Sequence, residues 1–248
     1  MIKAILNKLI TNKILKNQIF FVKIKLQLMR WVDYMSINFK VSDIAIKAFY
    51  ANEAMREVVE GLNGDILKKI EIVDNDMIDS NHGNEEWANI ISEMDVIIPG
   101  NLKLLNMAGI EDKRMIKEVA ISAFIKMFLK YMSKHNKKIF IIAISPEVLN
   151  STKTKVSEYF EEDTVEGMSV SELTGRSEEE IINEINALEP DCILSVLPSP
   201  KQEEFINKNK SYINSRIWLG CGEVFDIISG KNKRRNLLKF FKKDKNNM

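Results

Sequence analysis

Two short segments near the carboxyl end of the sequence combine residue types suited to holding an anion. One is Pro198-Ser199-Pro200-Lys201-Gln202-Glu203, which follows a buried-looking apolar run; the other, Gly220-Cys221-Gly222-Glu223-Val224-Phe225-Asp226, follows the next such run. A glycine turn between a strand and a helix presents backbone N–H groups to a negative group. The turn lacks the third glycine of a dinucleotide fingerprint, Phe225 standing in its place, and no Walker-type Lys-Ser/Thr follows. The same glycines also suit a tight turn that needs them for steric reasons. A third segment, Asp74-Asn75-Asp76 with Asp79, has the look of a calcium loop but lacks the glycine and distal glutamate of an EF-hand, so it reads as a strand-to-helix turn with capping carboxylates. Two histidines, His82 and His135, and two cysteines, Cys192 and Cys221, leave little material for a metal centre, a disulfide framework or a nucleophile paired with a base. Cys192, inside an apolar strand, reads as a small core residue.

These segments need a frame. Lys69–Val73, Asp95–Ile98, Lys138–Ile144, Asp191–Leu197 and Arg216–Leu219 read as strands. Between them lie helical patterns at Asn84–Ser92, Lys113–Lys134, Pro146 to about Phe160, Ser177–Leu188 and Lys201–Tyr212, with a short one at Glu223–Ser229. Ser177 and Glu180 form a capping box, and Pro146 suits a first helical turn. Strands alternating with helices imply βαβ units: an α/β, Rossmann-like, mainly parallel sheet flanked by helices, in a single domain with basic terminal extensions. Ligands on such sheets bind at the carboxyl ends of the strands, which is where all three segments fall.

Charge divides the chain into three parts. Among 248 residues, 36 Lys+Arg and 35 Asp+Glu nearly cancel, yet residues 1–32 hold seven cations and no acid, and residues 231–248 hold eight cations and one acid. The body, 33–230, is therefore strongly acidic. With no apolar run of the roughly 18 residues that a spanning helix needs, the chain reads as soluble or peripheral. Residues 2–16 fit a basic amphipathic helix and Phe21–Leu28 alternates like a strand; this extension suits either a membrane-surface role or a solvated segment upstream of a start at Met29 or Met35. In the tail, Leu237, Leu238 and Phe241 recur at helical spacing, with Lys233, Arg234, Arg235, Lys239, Lys242 and Lys243 around them to meet lipid head groups. No aromatic-interleaved groove or nucleic-acid motif supports a nucleic-acid partner.

Taken together, the order strand, Pro200-Lys201-Gln202-Glu203, helix, Gly220-x-Gly222-x-x-Phe225-Asp226, then Gly230 with Lys233 and Arg234, resembles the WecG/TagA/CpsF glycosyltransferases (glycosyltransferase family 26), of which this chain looks like a divergent member. A weaker likeness extends over residues 69–230. The resemblance implies an inverting, metal-independent transferase with no cofactor, moving a hexosyl or N-acetylhexosaminyl unit from a UDP-sugar to a lipid-linked acceptor in cell-surface polysaccharide synthesis. It would work in the cytoplasm, peripherally at the inner membrane face, with a homo-oligomer or a transferase partner as further options. It assigns Lys201, Gln202, Glu203, Gly220, Gly222, Phe225 and Asp226 to the nucleotide-sugar and the basic tail to the membrane.

The likeness breaks on the other side of the site. The family's general-base Asp after Leu-Pro falls on Gly100, and Asn101 replaces the following glycine. The segment matching its Thr-x-Asn-Pro-Glu reads Ile72-Val73-Asp74-Asn75-Asp76, and its Arg-Val-x-Gly-Ser-Asp becomes Glu118-Val119-Ala120-Ile121-Ser122-Ala123. Glycine accepts no proton, so activity requires a substitute such as Asp74, Asp76 or Asp95. Without one, the chain reads as a catalytically inactive relative that serves as a binding or scaffold partner.

Overall fold

The strands fall where apolar side chains leave no room for solvent. The computed structural model describes residues 36–160, 165–170, 177–222 and 225. By its internal contacts the chain divides into two units, residues 1–37 and 38–248; of the first, only Ser36 and Ile37 are described. The extension 1–32, the basic tail and, apart from Phe225, the helix expected from Glu223 onward lie outside the described residues.

The strands are β1 (Ser36–Val41), β2 (Ile44–Phe49), β3 (Lys68–Val73), β4 (Val96–Pro99), β5 (Ile139–Ala143), β6 (Val165–Ser169), β7 (Cys192–Val196) and β8 (Ile217–Gly220). They form a single sheet in the order β1-β2-β4-β3-β8-β7-β5-β6. Every neighbouring pair from β2 across to β6 is parallel. The mainly parallel α/β sheet read from the sequence is the observed one. Among the described residues the helices are α1 (Ala51–Asn63), α2 (Asn75–Ser80), α3 (Glu85–Ser92), α4 (Leu102–Met107), α5 (Lys113–Ala120), α6 (Ala123–Lys134), α7 (Pro146–Ser157), α8 (Glu178–Ala187) and α9 (Lys201–Asn209).

Their ends follow from local chemistry. Asp74, Asn84, Asn101, Asp112, Ser145 and Ser177 each accept an N–H of the first turn at the N-caps of α2, α3, α4, α5, α7 and α8, and Ser177 closes the expected box with Glu180. The one long helix expected over Lys113–Lys134 is two. Ser122 takes a left-handed conformation (φ +49°) between α5 and α6, so the chain turns there although the apolar spacing runs on. The turn lets α6 bury Phe124, Ile125, Phe128, Leu129 and Met132 while α5 buries only Met115.

Period-2 alternation sorts the strands onto two faces. Ile70 and Ile72 of β3, Ile217 and Leu219 of β8, and Leu194 and Val196 of β7 join the core that contains α1 and α6. Glu71, Trp218, Gly220 and Ser195 occupy the opposite face. The chain leaves β3 for β4 on one side, whereas β8 is reached from β7 on the other. Both steps run toward the β1 edge, and β3 and β8 lie side by side at the centre of the sheet, with the loops at their carboxyl ends on the side where parallel sheets bind ligands.

Candidate active site

At the centre of the sheet three strands align one residue each. Gly220 of β8 is the register partner of Glu71 on β3 and of Ser195 on β7. All three are fully or almost fully buried. The missing side chain at 220 makes room for its neighbour, because a β-carbon there would collide with the Glu71 carboxyl group.

Helix α9 closes this row. Gln202, wholly buried, donates from Nε2 to Glu71 Oε1 and accepts from the Gly222 N–H at 3.1 Å. Its amide therefore ties the first turn of α9 to the loop after β8. Gly222 sits at φ +51°, a left-handed conformation open to glycine. The Cys221 N–H reaches Ser195 O at 2.9 Å, and the Phe225 N–H reaches Gly222 O at 3.4 Å. The two segments picked out in the sequence thus meet through a side chain of one and the backbone of the other.

Beneath the loop the environment is polar and sealed. Glu203 is also wholly buried, and Trp87 of α3 and Trp218 of β8 close the space. Among the described residues no hydrogen bond of ordinary geometry reaches Glu71 Oε2, either Glu203 oxygen, or the indole N–H of Trp87 and Trp218. Burial pushes the Glu71 carboxyl well above the usual carboxylate range and the Glu203 charge pushes it further, while the N–H groups of Gln202 and Trp218 pull the other way. Glu203 is raised as well, chiefly by burial, against nearby N–H and hydroxyl groups that include Ser199 and Trp87. Asn81, at the end of α2, donates to Ser199 Oγ at 2.9 Å and so fastens the α2–α3 turn to the start of α9.

The neighbouring loops, after β3 and β4, form a second polar group. Asn101 caps α4 through Oδ1 and donates from Nδ2 to Asn75 Oδ1 at 2.9 Å and Asp74 Oδ2 at 3.4 Å. The Gly100 N–H donates to Val73 O at 2.7 Å. Beside Pro99, on the core face, a small, mostly apolar void of about 20 Å³ is lined by residues that include Phe49, Ile72, Ile98, Glu118 and Ser122.

The three candidate carboxylates occupy different places. Asp74 is buried and accepts the Met77 N–H at 2.9 Å as the cap of α2. Asp76 is exposed at the same edge, bonded to Asn75 and 3.7 Å from the Lys103 ammonium. Asp95 lies just before β4, at the amino end of that strand and away from Gly100, where Oδ2 accepts the Lys69 N–H at 2.7 Å. The acid at 118 has a structural duty: Glu118 accepts the first N–H of α1, from Ala51, at 2.7 Å and pairs with Arg114 at 2.9 Å. Carboxylates are favoured at helix N-termini.

Of the residues assigned to the nucleotide-sugar, Gly220, Gly222 and Gln202 come together. Lys201 is exposed at the start of α9. Glu203 and Phe225 are interior, Phe225 belonging to the core cluster, so both bear on the loop from below. Asp226 and the tail residues Lys233, Arg234, Arg235, Lys239, Lys242 and Lys243 lie outside the described residues. Burial pushes the Cys192 and Cys221 thiols well above their ordinary range, which removes them as nucleophiles. Among the described residues, no group of three or more His, Cys, Asp or Glu side chains is placed to hold a metal ion. Glu71, Trp87 and Trp218 escaped the sequence reading. The available signal was an acid at the centre of the apolar strand Lys69–Val73.

The model of the Glycosyl transferase WecG/TagA/CpsF family matches residues 39–236. The N-acetylglucosaminyldiphosphoundecaprenol N-acetyl-β-D-mannosaminyltransferase of Bacillus subtilis (strain 168) is 23% identical over 151 residues, 61% of this chain and 58% of the relative. The protein of the same name from Bacillus spizizenii (strain ATCC 23059 / NRRL B-14472 / W23) is 24% identical over 151 residues, with the same shares. The matched region thus spans 58% of the length of these curated relatives.

Proposed function

This chain belongs to the glycosyl transferase WecG/TagA/CpsF family, and from that premise we propose that it transfers a hexosyl or N-acetylhexosaminyl unit from a UDP-sugar to a lipid-linked acceptor in the synthesis of a cell-surface polysaccharide. The observation that carries the reading is the Gly222 N–H to Gln202 hydrogen bond. It joins the two motif segments at the carboxyl edge of a parallel sheet. In this reading the first turn of α9 faces the diphosphate and Lys201 adds a cation, while the N–H groups of Cys221, Gly222 and Phe225 are held inside the protein and shape the β8 loop around it. Gln202, Glu203 and Phe225 act from beneath by fixing the loop, and Asp226 is a further nucleotide contact. The acceptor class is a sugar on a polyprenyl diphosphate, as the names of the two relatives state for those proteins.

Transfer with inversion joins the acceptor oxygen to the anomeric carbon as the bond to UDP breaks, and a carboxylate takes the hydroxyl proton. Gly100 stands where the family resemblance puts that carboxylate. Asp76 is the exposed carboxylate at the same edge and is the proposed base, because Asp74 is committed to the cap of α2. No described helix is long and apolar enough to cross a membrane. Contact with the inner membrane face is assigned to the basic tail.

Gly100 also favours a second reading, an inactive relative that binds nucleotide and partners an active transferase. The two readings separate in a transfer assay with UDP-N-acetylhexosamines and N-acetylglucosaminyl-diphospho-polyprenol. Native protein should give product, and Asp76→Asn should lower the rate by about 10²–10⁴, the usual worth of a general base. UDP binding without product in native protein and in Gly100→Asp replaces the first reading with the second.

A further inference from the structure

We propose that Glu71 is a positioning residue for the nucleotide loop: it orients the Gln202 amide so that the amide carbonyl locks the Gly222 N–H in place. The inference rests on the reading that this loop holds UDP, and it adds a residue from outside the motif segments.

The direction of each hydrogen bond follows from chemistry. The Gly222 N–H can only donate, so Gln202 must present Oε1 to it at 3.1 Å. The other end of the amide then points its Nε2 donor at Glu71, which must accept. Were Glu71 apolar, the Nε2 group would be buried without an acceptor, and rotating the amide to relieve it would set a donor against the Gly222 N–H. The geometry is braced from both sides. Gly220 leaves the space that the carboxyl fills, and Trp218, two residues before Gly220 on the same face of the strand, turns its indole N–H toward it.

Glu71 has no salt-bridge partner among the described residues; Glu203 has none either, and it is the titratable neighbour whose charge raises Glu71. Two ionised carboxylates so enclosed would be poorly tolerated, so protons are retained in the pair. An acceptor is what Gln202 requires of position 71, and a neutral carbonyl supplies it. Glutamine there meets the same need and turns its own NH2 toward Glu203.

The experiment compares full-length native protein with Glu71→Gln, Glu71→Met and Gln202→Met. It follows amide hydrogen exchange across Gly220–Gly222 without ligand, and UDP affinity by titration. Glu71→Gln should keep native exchange at Gly222 and an affinity within about twofold. Glu71→Met and Gln202→Met should each speed Gly222 exchange at least tenfold and weaken UDP at least tenfold. Native exchange at Gly222 in either methionine variant overturns the proposal, as does a Glu71→Gln protein as perturbed as Glu71→Met. If Glu71→Met does not fold, Glu71→Gln and Gln202→Met decide by the same criteria. Absence of UDP binding in native protein, with the exchange pattern as stated, removes the nucleotide reading and leaves the positioning role standing.

Discussion

The carboxyl group of Glu71 fills the space that a β-carbon on its cross-strand partner Gly220 would need. Position 220 is glycine for room, since its neighbour is an acid turned into the interior. The pair links β3, which lies outside the two motif segments, to the loop of one of them.

Gly220→Ala should therefore cost about 1–3 kcal/mol, the usual range for overpacking a filled interior. In a Glu71→Ala background the added methyl has somewhere to go, so the penalty should shrink. Urea unfolding of the two single variants and the double variant measures the coupling. Strict additivity would show that the contact is not felt.

The raised Glu71 and Glu203 carboxyls fix the sign of a pH effect. Between the unfolded value, 4.5, and the higher folded values, the native state holds more protons than the unfolded chain. Stability from these groups is then complete below pH 4.5 and falls as pH rises toward the folded values. Glu71→Gln removes its share of that slope. Unfolding free energies of both proteins from pH 5 to 8 should converge at the acid end, with the variant gaining on the native protein as pH rises. Parallel curves would contradict a protonated, buried Glu71.

Gln202→Ala strips both Glu71 and the Gly222 N–H of their partner. Leaving buried polar groups unpaired costs about 1–3 kcal/mol each, so UDP should bind at least tenfold more weakly to a protein that is still folded. Unchanged affinity in isothermal titration would detach Gln202 from the nucleotide site.

Deletion of residues 234–248 removes Arg234, Arg235, Lys239, Lys242, Lys243 and Lys245. At about 1 kcal/mol per cation near an anionic leaflet, co-sedimentation with phosphatidylglycerol vesicles should collapse in the truncated protein, and in native protein should weaken with salt. Retained binding at low salt would place membrane contact elsewhere.

Much of this arrangement could be read from residue order alone. Alternation and apolar runs located β3, β4, β5, β7 and β8, and Pro146 and the Ser177–Glu180 capping box located the starts of α7 and α8, because those signals are local. Three features were not legible, each for a physical reason. Ser122 breaks a continuous helical period by a backbone conformation that side-chain spacing does not encode. Asp95 sits beside the Ile-Ile-Pro run of β4, yet a strand has two ends, and Asp95 is at the one away from Gly100. Glu71 meets Gln202 across 131 positions, a relation set by strand order β3-β8-β7 and by no local pattern. The motif residues themselves were visible, but their division was not. Lys201 stands exposed at the start of α9, while Gln202, Glu203, Gly222 and Phe225 are buried.

The central claim is that the loop clamped by Gln202 holds a uridine diphosphate. Calorimetric titration of the purified, full-length protein with UDP, and with UDP-N-acetylmannosamine and UDP-N-acetylglucosamine, tests it most directly. The account predicts saturable binding in the micromolar range, about −8 kcal/mol, lost or weakened in Gln202→Ala. A folded protein that takes up none of the three would contradict it.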